Sequence, residues 1–330
     1  MNITSLNTGL DLAHPWALTR YPGQPWRLAH ALGTGDAFVI QPYQRGAAPV
    51  HLRELDALPE ATTPLPNFAL EASPDKATHL QRVRAAVDVM PGTYQKVVLS
   101  RTVKHDLGSA LRLGDFLMAL ETTYPTAYVF AVHLPGSPVW VGASPERLLK
   151  LHGGTGETIS LAGTRTAAEL HTSPWTTKEV EEQALVTDYL RARLAQAGAV
   201  ITQTTGPEDH RAGHLTHRRT ALRFATATGA LPLAQILHPT PAVCGLPQAE
   251  AAAWISAHET HDRGLYTGFM GWVPNNAPAE LFVMLRCMQL SASAALLYVG
   301  GGLTKDSDPE AEWTETEAKA ETLLSVLRMY

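Results

Sequence analysis

The C-terminal stretch from Gly300 to Met329 constrains the fold more than any other part of the chain. It begins with three consecutive glycines, whose backbone can approach a ligand closely and present bare N–H groups to an anion. A helix signature follows, with Ser307 or Asp308 as the N-cap and Pro309 in the first turn. The sequence therefore predicts a glycine-rich segment that leads directly into a long terminal helix.

Two pairs of glutamates, each with a spacing of three residues, fall on predicted helices. Glu312 and Glu315 lie on the terminal helix, and Glu179 and Glu182 lie on a helix predicted from about 177 to 197. Helical spacing places each pair on one face. If the two helices meet, four carboxylates require a cation, and oxygen ligands favour Mg²⁺. In the alternative interpretation the pairs never meet and each faces water, and spacing alone leaves both open.

The charge balance argues against several classes of partner. The 330 residues carry 26 Lys and Arg against 31 Asp and Glu, a formal net charge of −5, without a run of five like charges. This balance gives no electrostatic basis for binding nucleic acid or a membrane surface. We expect the partner to be a small molecule.

The cysteines and the N-terminal sequence indicate the compartment. Cys244 and Cys287 are too few for a disulfide framework, and neither belongs to a CxxC pair. The chain shows no basic region followed by an apolar segment at its start, and no run of about 18 apolar residues. We therefore expect a cytoplasmic protein without a signal peptide or a membrane span.

Strand patterns and helical patterns alternate in blocks, without the strict βαβ period of a doubly wound sheet. The strand patterns are KVVLSRTV, AYVFAVHL, VWVGAS, TGFMGWV, LFVMLRCMQL and LLYVGGGL. The helices are predicted near residues 76–89, 113–123, 177–197, 232–237 and 247–259. AYVFAVHL and VWVGAS read as a hairpin that turns at Pro-Gly-Ser. This arrangement favours an α+β fold built on a largely antiparallel sheet.

Lys96 and Glu146 are candidates for an acid/base pair. Lys96 precedes the apolar strand VVLS, where burial would lower its pKa until the neutral amine could act as a base. Burial of Glu146, in GASPERLL, would raise its pKa and keep it protonated as an acid. The alternatives are a surface lysine whose stem alone is buried, and a turn carboxylate paired with Arg147.

Three further residues are candidates for ligand binding. Arg286 lies in the apolar run LFVMLRCMQL, where its guanidinium needs either a ligand carboxylate or a buried structural ion pair. Tyr266 offers a phenolic donor, or it is simply a core tyrosine. His238 begins HPTPAVCGLP, a stiff turn in which it either contacts a ligand or caps the turn.

Ten sequence blocks, in order, resemble those of the chorismate-utilising enzymes, and within them the isochorismate synthases. The resemblance runs from about Lys96 to the C-terminus. The blocks are KVVLSR, PTAYVF, GASPERLL, LAGT, KExxEQ, HPTPAVCGLP, DRGLYTGFMGW, LFVMLRC, GGGL and SDPEAEWTETEAK.

The resemblance implies an α+β fold in which large, mostly antiparallel sheets and helices surround a central active site. It implies that residues 76–330 form the chorismate-binding catalytic region and that residues 1–75 are a shortened N-terminal part of the same domain. The implied reaction is the Mg²⁺-dependent isomerisation of chorismate to isochorismate, without an obligatory protein partner.

The resemblance also implies a role for each matching residue. Lys96 would activate water for attack at C2, because relatives that use ammonia carry glutamine there, and Glu146 would protonate the hydroxyl that leaves C4. The implied Mg²⁺ ligands are Glu182 and Glu315, supported by Glu179 and Glu312. The implied substrate-binding residues are Gly163, Thr164, His238, Thr240, Tyr266, Arg286, Gly300 and Gly302.

Two positions depart from the family pattern, and one alternative function remains open. Gln183 replaces the histidine that usually follows the metal glutamate, and His217 stands where threonine is common. The alternative is salicylate synthase, which continues from isochorismate to salicylate and pyruvate; its members generally lack the HPTPAVCGLP form of the histidine block. The sequence leaves open whether the product would serve menaquinone or siderophore biosynthesis.

Overall fold

A computed structural model describes residues 3–44, 46–57, 63–72, 74–108, 111–212 and 215–330, with all of their side chains except those at 91, 164, 166, 167, 169, 178, 212 and 215. After a 3₁₀ helix at Ile3–Asn7, these residues form strands β1 (Trp16–Arg20), β2 (Arg27–His30), β3 (Ala37–Gln41), β4 (Val50–Leu55), β5 (Lys96–Asp106), β6 (Tyr128–His133), β7 (Val139–Ser144), β8 (Arg147–His152), β9 (Thr155–Thr166), β10 (Val200–Ala212), β11 (Leu215–Ala225), β12 (Gly245–Leu246), β13 (Phe269–Val273), β14 (Ala279–Val283), β15 (Cys287–Leu290) and β16 (Ala294–Leu303). The helices are α1 (Lys76–Thr93), α2 (Leu113–Thr123), α3 (Ala167–Thr172), α4 (Thr177–Gln196), α5 (Ala230–Leu237), α6 (Gln248–His258) and α7 (Pro309–Leu327).

The strands form one sheet in which each paired neighbour is antiparallel. Their order is β10-β11-β9-β8-β14-β13-β3-β4-β2-β1-β6-β7-β15-β16-β5-β12. The predicted α+β fold with a largely antiparallel sheet is therefore confirmed. Strands β1 to β4 occupy the middle of this order and join its two halves.

The central strands are buried on both faces. In β6, Val129 and Ala131 belong to an apolar cluster with residues of α2 and α7, whereas Phe130 belongs to a second cluster. That second cluster also contains Met270 of β13 and Tyr298 of β16. Because β13 and β16 are far apart in the strand order, the sheet curves so that its two halves pack against each other.

Polar contacts fix the first turns of the two long helices. At α4, Thr176 donates its backbone N–H and its hydroxyl to Oε2 of Glu179, at 2.7 and 2.8 Å. At α7, Asp308 is the N-cap, and its carboxylate accepts a backbone N–H of the first turn at 2.9 Å. Of the two N-cap candidates, Asp308 is thus confirmed. None of the helices in the described ranges is both long and apolar enough to span a membrane.

Two parts of the sheet differ from the sequence prediction. The run LFVMLRCMQL is not one strand, because β14 ends at Val283 and Arg286 adopts a φ of 47°, which interrupts the extended backbone before β15. The long hairpin of β10 and β11 is absent from the predicted elements. Most side chains of β10 are exposed, so the strand carries no apolar alternation that would reveal it.

Candidate active site

Residues of β5, β9, β16, α4 and α7 line a common pocket. Nine of the predicted site residues lie in its wall: Lys96, Glu146, Gly163, Glu182, Tyr266, Arg286, Gly300, Gly302 and Glu315. Four others, Glu179, Glu312, His238 and Thr240, make the contacts given below. The side chain of Thr164 lies outside the described part of the structure.

Lys96 and Glu146 are both buried in this wall. The side chain of Lys96 is 1% exposed, and its Nζ donates to Oε1 of Glu182 at 2.8 Å. Glu146 lies in the turn between β7 and β8 and is 6% exposed. Burial raises the pKa of Glu146 to about 7, although Lys96, Arg286 and Lys319 act in the opposite direction. The pocket therefore contains, besides the lysine, a carboxyl group that is more easily protonated than an exposed glutamate.

The bare backbone of Gly300 and Gly302 is required by close contacts. A Cβ at Gly302 would lie 2.6 Å from Oε1 of Glu182, and a Cβ at Gly300 would lie 2.9 Å from the hydroxyl oxygen of Tyr266. Both separations are shorter than folded proteins tolerate. A side chain at either position would therefore displace a group that lines the pocket.

The ladder between β5 and β16 leaves the polar groups of these glycines on the pocket side. Gly300 is opposite Ser100 and Gly302 is opposite Val98, but the N–H groups of Ser100 and Val98 are directed away from β16, to Glu259 and to the carbonyl of Cys244. Both pairs are therefore non-hydrogen-bonded pairs of the antiparallel ladder, in which the partner's N–H also points outward. Strand β15 pairs with β16 only as far as Tyr298. The N–H groups of the two glycines consequently face the space beyond the end of β15.

Two residues in the pocket wall hold a strained backbone. Thr267 and Arg286 have φ values of 63° and 47°, in the left-handed region, which costs a non-glycine residue about 1–2 kcal/mol. The N–H of Thr267 donates to the carbonyl of Met284 at 2.8 Å and so ties the two segments together. Desolvation lowers the pKa of Arg286, against the opposing effect of Tyr266 and nearby carboxyl groups.

Two of the three glutamates in the pocket wall, Glu182 and Glu315, each pair with a lysine. Glu182 accepts from Lys96, and Oε1 of Glu315 accepts from Nζ of Lys319 at 2.5 Å. The same Nζ donates to the carbonyl of Gly300 at 2.8 Å. Lys319 is not among the predicted site residues, although its spacing of four from Glu315 on a helix is a signal that indicates it.

Glu179 and Glu312 are engaged by other groups. Oε1 of Glu179 accepts from Nε of Arg165 at 2.6 Å, in addition to the contacts that start α4. Glu312 is 2% exposed and accepts from the Ser307 hydroxyl at 2.6 Å. A Cβ at Gly301 would lie 3.0 Å from Oε2 of Glu312, so this carboxylate packs directly against the glycine segment.

Two carboxylates in the pocket are of the chemical kind that could hold a divalent cation. Glu182 and Glu315 reach the pocket from two different helices, and their carboxylate oxygens are the hard ligands that Mg²⁺ prefers. Both carboxylates are neutralised here by the ammonium groups of Lys96 and Lys319. A cation would therefore exchange with these ammonium groups at oxygens that already attract positive charge.

A second group of potential metal ligands lies near the N-terminus. Among the described residues, only Asp11, His14 and His30 bring three such atoms within 4.8 Å of one another. Nδ1 of His30 accepts from the N–H of Leu32 at 3.1 Å, so its Nε2 carries the proton and donates to Asp11 at 3.1 Å. Because a protonated nitrogen does not ligate a metal, this group is a hydrogen-bonded cluster.

His238 and Thr240 lie in the turn behind the pocket wall. Nε2 of His238 donates to the carbonyl of Thr267 at 2.7 Å, and burial lowers the pKa of His238 to about 4, so the ring is neutral. The carbonyl of Thr240 accepts the N–H of Val243, which lines the pocket, at 3.0 Å. Both residues thus support segments that form the wall.

The two positions that depart from the family pattern have different surroundings. The amide nitrogen of Gln183 is buried and donates to the hydroxyls of Thr187 and Thr220 at 2.9 and 2.7 Å, so this residue joins β11 to α4. His217, by contrast, lines the pocket, where its Nδ1 lies 3.0 Å from the carbonyl of Gly163. Burial lowers the pKa of His217 to about 3.

A buried ion pair holds β5 from behind. Glu259 accepts from two nitrogens of Arg263 at 2.6 and 2.8 Å, and from the N–H and hydroxyl of Ser100 at 2.7 Å. Arg263 also donates to the carbonyls of Val98 and Val243, two residues of the pocket wall, at 2.7 and 2.8 Å. Neither Glu259 nor Arg263 is among the predicted residues, since only the fold reveals what their charges contact.

Comparison with known proteins shows the family to which the chain belongs. The sequence profile described as chorismate binding enzyme matches residues 16–328. The chain is 34% identical over 289 residues to a Mycobacterium tuberculosis (H37Rv) protein provisionally named isochorismate synthase MenF, covering 81% of this chain and 77% of the relative. It is 32% identical over 273 residues to isochorismate synthase EntC of Escherichia coli K12, covering 79% of this chain and 69% of the relative.

A solved structure shares the whole architecture. It is that of a Bacillus anthracis protein provisionally named 2,3-dihydroxybenzoate-specific isochorismate synthase DhbC, with a TM-score of 0.81 and 26% identity. The match covers 99% of this chain and 100% of that one. Because the profile spans almost the entire sequence and both relatives exceed 30% identity, the chain belongs to the chorismate-binding enzyme family.

Proposed function

We propose that this protein is an isochorismate synthase, an isomerase that converts chorismate to isochorismate. The observation that carries the proposal is the presence of Lys96 and Glu146 in one buried pocket, where the pKa of Glu146 rises to about 7. The names of the relatives support the same reaction. Lysine at position 96, where ammonia-using relatives would carry glutamine, favours water as the nucleophile.

The pocket offers separate partners for the two carboxylates of chorismate. We assign the enolpyruvyl carboxylate to the guanidinium of Arg286, the hydroxyl of Tyr266 and the outward N–H groups of Gly300 and Gly302. A planar guanidinium can hold a carboxylate through two hydrogen bonds, which fixes its orientation as well as its place. The segments that we assign to the substrate ring contain Gly163, Thr164, His238 and Thr240.

The other carboxylate is assigned to the glutamate side of the pocket. Glu182 and Glu315 would hold Mg²⁺, with Glu179 and Glu312 in support, and the bound ion would supply positive charge to the ring carboxylate. Lys319 remains tied to the carbonyl of Gly300 and keeps α7 close to the glycine segment. A substrate held at both ends presents its ring in a fixed orientation to Lys96 and Glu146.

The reaction then requires one base and one acid. Lys96 must first leave its ion pair with Glu182 and release a proton to solvent. Its neutral amine then takes a proton from water as the water oxygen forms a bond to C2. The two ring double bonds shift, the C4–O bond breaks, and Glu146 gives its proton to the departing oxygen. One water molecule is consumed and one is released, so the product is an isomer of the substrate. Lys96 ends as an ammonium and Glu146 as a carboxylate.

Chromatography of a reaction with chorismate and Mg²⁺ tests the proposed function. We expect isochorismate as the product. Salicylate with pyruvate would identify a salicylate synthase, and an unchanged substrate would contradict the proposal.

Two substitutions test the assigned roles of the acid and the base. Lys96→Ala and Glu146→Gln should lower turnover by at least about 10²-fold while chorismate still binds in calorimetry, because each removes one proton transfer. The matched control is Lys104→Ala, an exposed lysine on the same strand, which should keep the normal rate. A near-normal rate in either active-site variant would refute its role.

Removal of the metal tests the assigned cation. Chelation should abolish isochorismate formation, and added Mg²⁺ should restore it. Glu315→Gln should weaken Mg²⁺ binding in calorimetry, because a carboxamide is a poorer ligand for a hard cation. Full activity after exhaustive chelation would rule out the Mg²⁺ assignment while leaving the acid/base pair untouched.

A further inference from the structure

His217 lines the pocket but takes no part in the steps derived above. It lies on β11, is 6% exposed, and its Nδ1 is 3.0 Å from the carbonyl oxygen of Gly163. A carbonyl oxygen can only accept a hydrogen bond, so Nδ1 must be the donor and must carry a proton. The hydrogen bond therefore fixes the ring orientation and one of its two tautomers.

The opposite ring nitrogen, Nε2, consequently carries a lone pair. A proton on Nε2 as well would create a buried imidazolium in a pocket that already contains the cations Arg286, Lys319 and Lys96. The carboxylates that face the same space, Glu315 and Glu182, are already paired with two of these cations. The imidazole is therefore a fixed acceptor in a pocket that also contains the donors Arg286, Lys319 and Tyr266.

We propose that His217 determines specificity for a hydroxylated ring by accepting, at Nε2, a hydrogen bond from the C4 hydroxyl of chorismate. The inference rests on the proposed function. At neutral pH the polar groups of chorismate are two carboxylates, an ether oxygen and one hydroxyl, and the hydroxyl alone is a donor. Either carboxylate would meet the lone pair of Nε2 with repulsion, so His217 also opposes reversed binding of the substrate.

Threonine is common at this position in the family, and its replacement by His217 changes which hydrogen-bond partners the position accepts. A threonine hydroxyl rotates and can either donate or accept, so it tolerates more than one partner. The imidazole of His217 is locked by Gly163 and can only accept. The substitution thus makes the pocket stricter about what stands opposite this residue.

Two unreactive ligands isolate this hydrogen bond from catalysis. Both are benzoates that carry the enolpyruvyl ether at C3, and they differ only in a hydroxyl at C4. Their affinities for the full-length protein with Mg²⁺ are measured by calorimetry, which needs no turnover. We expect the wild type to bind the hydroxylated analogue about fivefold more tightly, the usual net value of one buried hydrogen bond.

Variants at position 217 test whether the imidazole causes the preference for the hydroxylated analogue. His217→Leu removes the acceptor and should bring the two affinities to within twofold, whereas His217→Gln keeps an acceptor and should retain part of the preference. His217→Phe keeps an aromatic ring but has no nitrogen that could accept a hydrogen bond. It takes the place of the leucine variant if circular dichroism shows that the leucine variant does not fold. His152→Leu, an exposed histidine on β8, is the matched control and should leave the ratio unchanged.

The result that overturns the inference is distinct from failure of the proposed function. Two results would show that Nε2 does not bind the hydroxyl. One is equal affinity of the wild type for the two analogues, and the other is an unchanged ratio of the two affinities in the leucine and phenylalanine variants. Failure of the proposed function appears instead in the wild-type assay, as a lack of isochorismate from chorismate.

Discussion

At the scale of single residues, the ionisation of Glu146 sets an upper pH limit for the proposed reaction. The acid must be protonated, and its pKa is raised to about 7 by burial. Above that pH the protonated fraction falls about tenfold per unit. With Lys96 present as the neutral amine that the reaction requires, we expect kcat/KM to fall as the pH rises above about 7, measured from pH 6 to 9 while circular dichroism shows an intact fold. A kcat/KM that rises steadily up to pH 9 would exclude Glu146 as the acid.

Gly302 is a second residue at which a substitution should change the rate, because two pocket side chains lie very close to its Cα. An added Cβ would lie 2.6 Å from Oε1 of Glu182 and 2.7 Å from Cε of Lys96, so one of these groups must move. Displacement of a catalytic group by about 1 Å costs roughly 10²-fold in rate, so Gly302→Ala should lower kcat/KM by about that factor.

The control for Gly302→Ala is Gly108→Ala. A Cβ at Gly108 meets no atom within 4 Å, so the same substitution there should leave kcat/KM unchanged. If Gly302→Ala retains normal kinetics, the contact between the glycine segment and the Lys96–Glu182 pair has no catalytic importance.

At the scale of elements, local signals predict helices better than strands. Apolar periodicity predicts α2 at its observed bounds and the end of α4 within one residue, because an amphipathic helix is encoded by neighbours in sequence. The hairpin β10–β11 and the break at Arg286 are not predicted. Their conformations depend on partners elsewhere in the chain, such as β9 beside β11, which no local pattern reveals.

The Glu259–Arg263 pair is an element-scale support whose loss should be costly. Burial alone would raise the pKa of Glu259, but the charge and hydrogen bonds of Arg263 bring it below its usual value. Since both side chains are 3% exposed, removing one partner leaves an uncompensated buried charge. We expect Arg263→Met to destabilise the protein by about 3–5 kcal/mol, measured by urea unfolding.

A surface pair provides the control for that measurement. Arg328 donates to Glu321 at 2.8 and 3.0 Å on the exposed end of α7, so Arg328→Met should leave the unfolding midpoint unchanged. If Arg263→Met changes the unfolding midpoint as little as Arg328→Met does, water must enter the space behind β5 and hydrogen-bond to Glu259.

At the scale of the whole molecule, the site is assembled from residues that are distant in sequence. Lys96 and Glu182, in direct contact, are 86 positions apart. Spacing predicts that each glutamate pair shares a helix face, but it leaves open whether the two helices meet. The order of the sequence blocks predicts that they do. The bond of Lys319 to the carbonyl of Gly300 and the anchoring of His217 by Gly163, by contrast, emerge only when strands and helices are brought together.

The position of β1 to β4 in the middle of the sheet predicts that the N-terminal part cannot be separated from the catalytic region. These strands pair with β13 on one side and with β6 on the other. The ring of Phe38, in β3, packs against the ring of Trp272 with 4.9 Å between their centroids. A fragment of residues 76–330 would expose two central strand edges and this apolar surface. We expect the full chain to unfold in one cooperative transition by calorimetry, and the fragment to show none. A fragment with a sharp transition and normal affinity for chorismate would instead identify residues 1–75 as an independent unit, and the two halves of the sheet would then have to associate without the strands that join them.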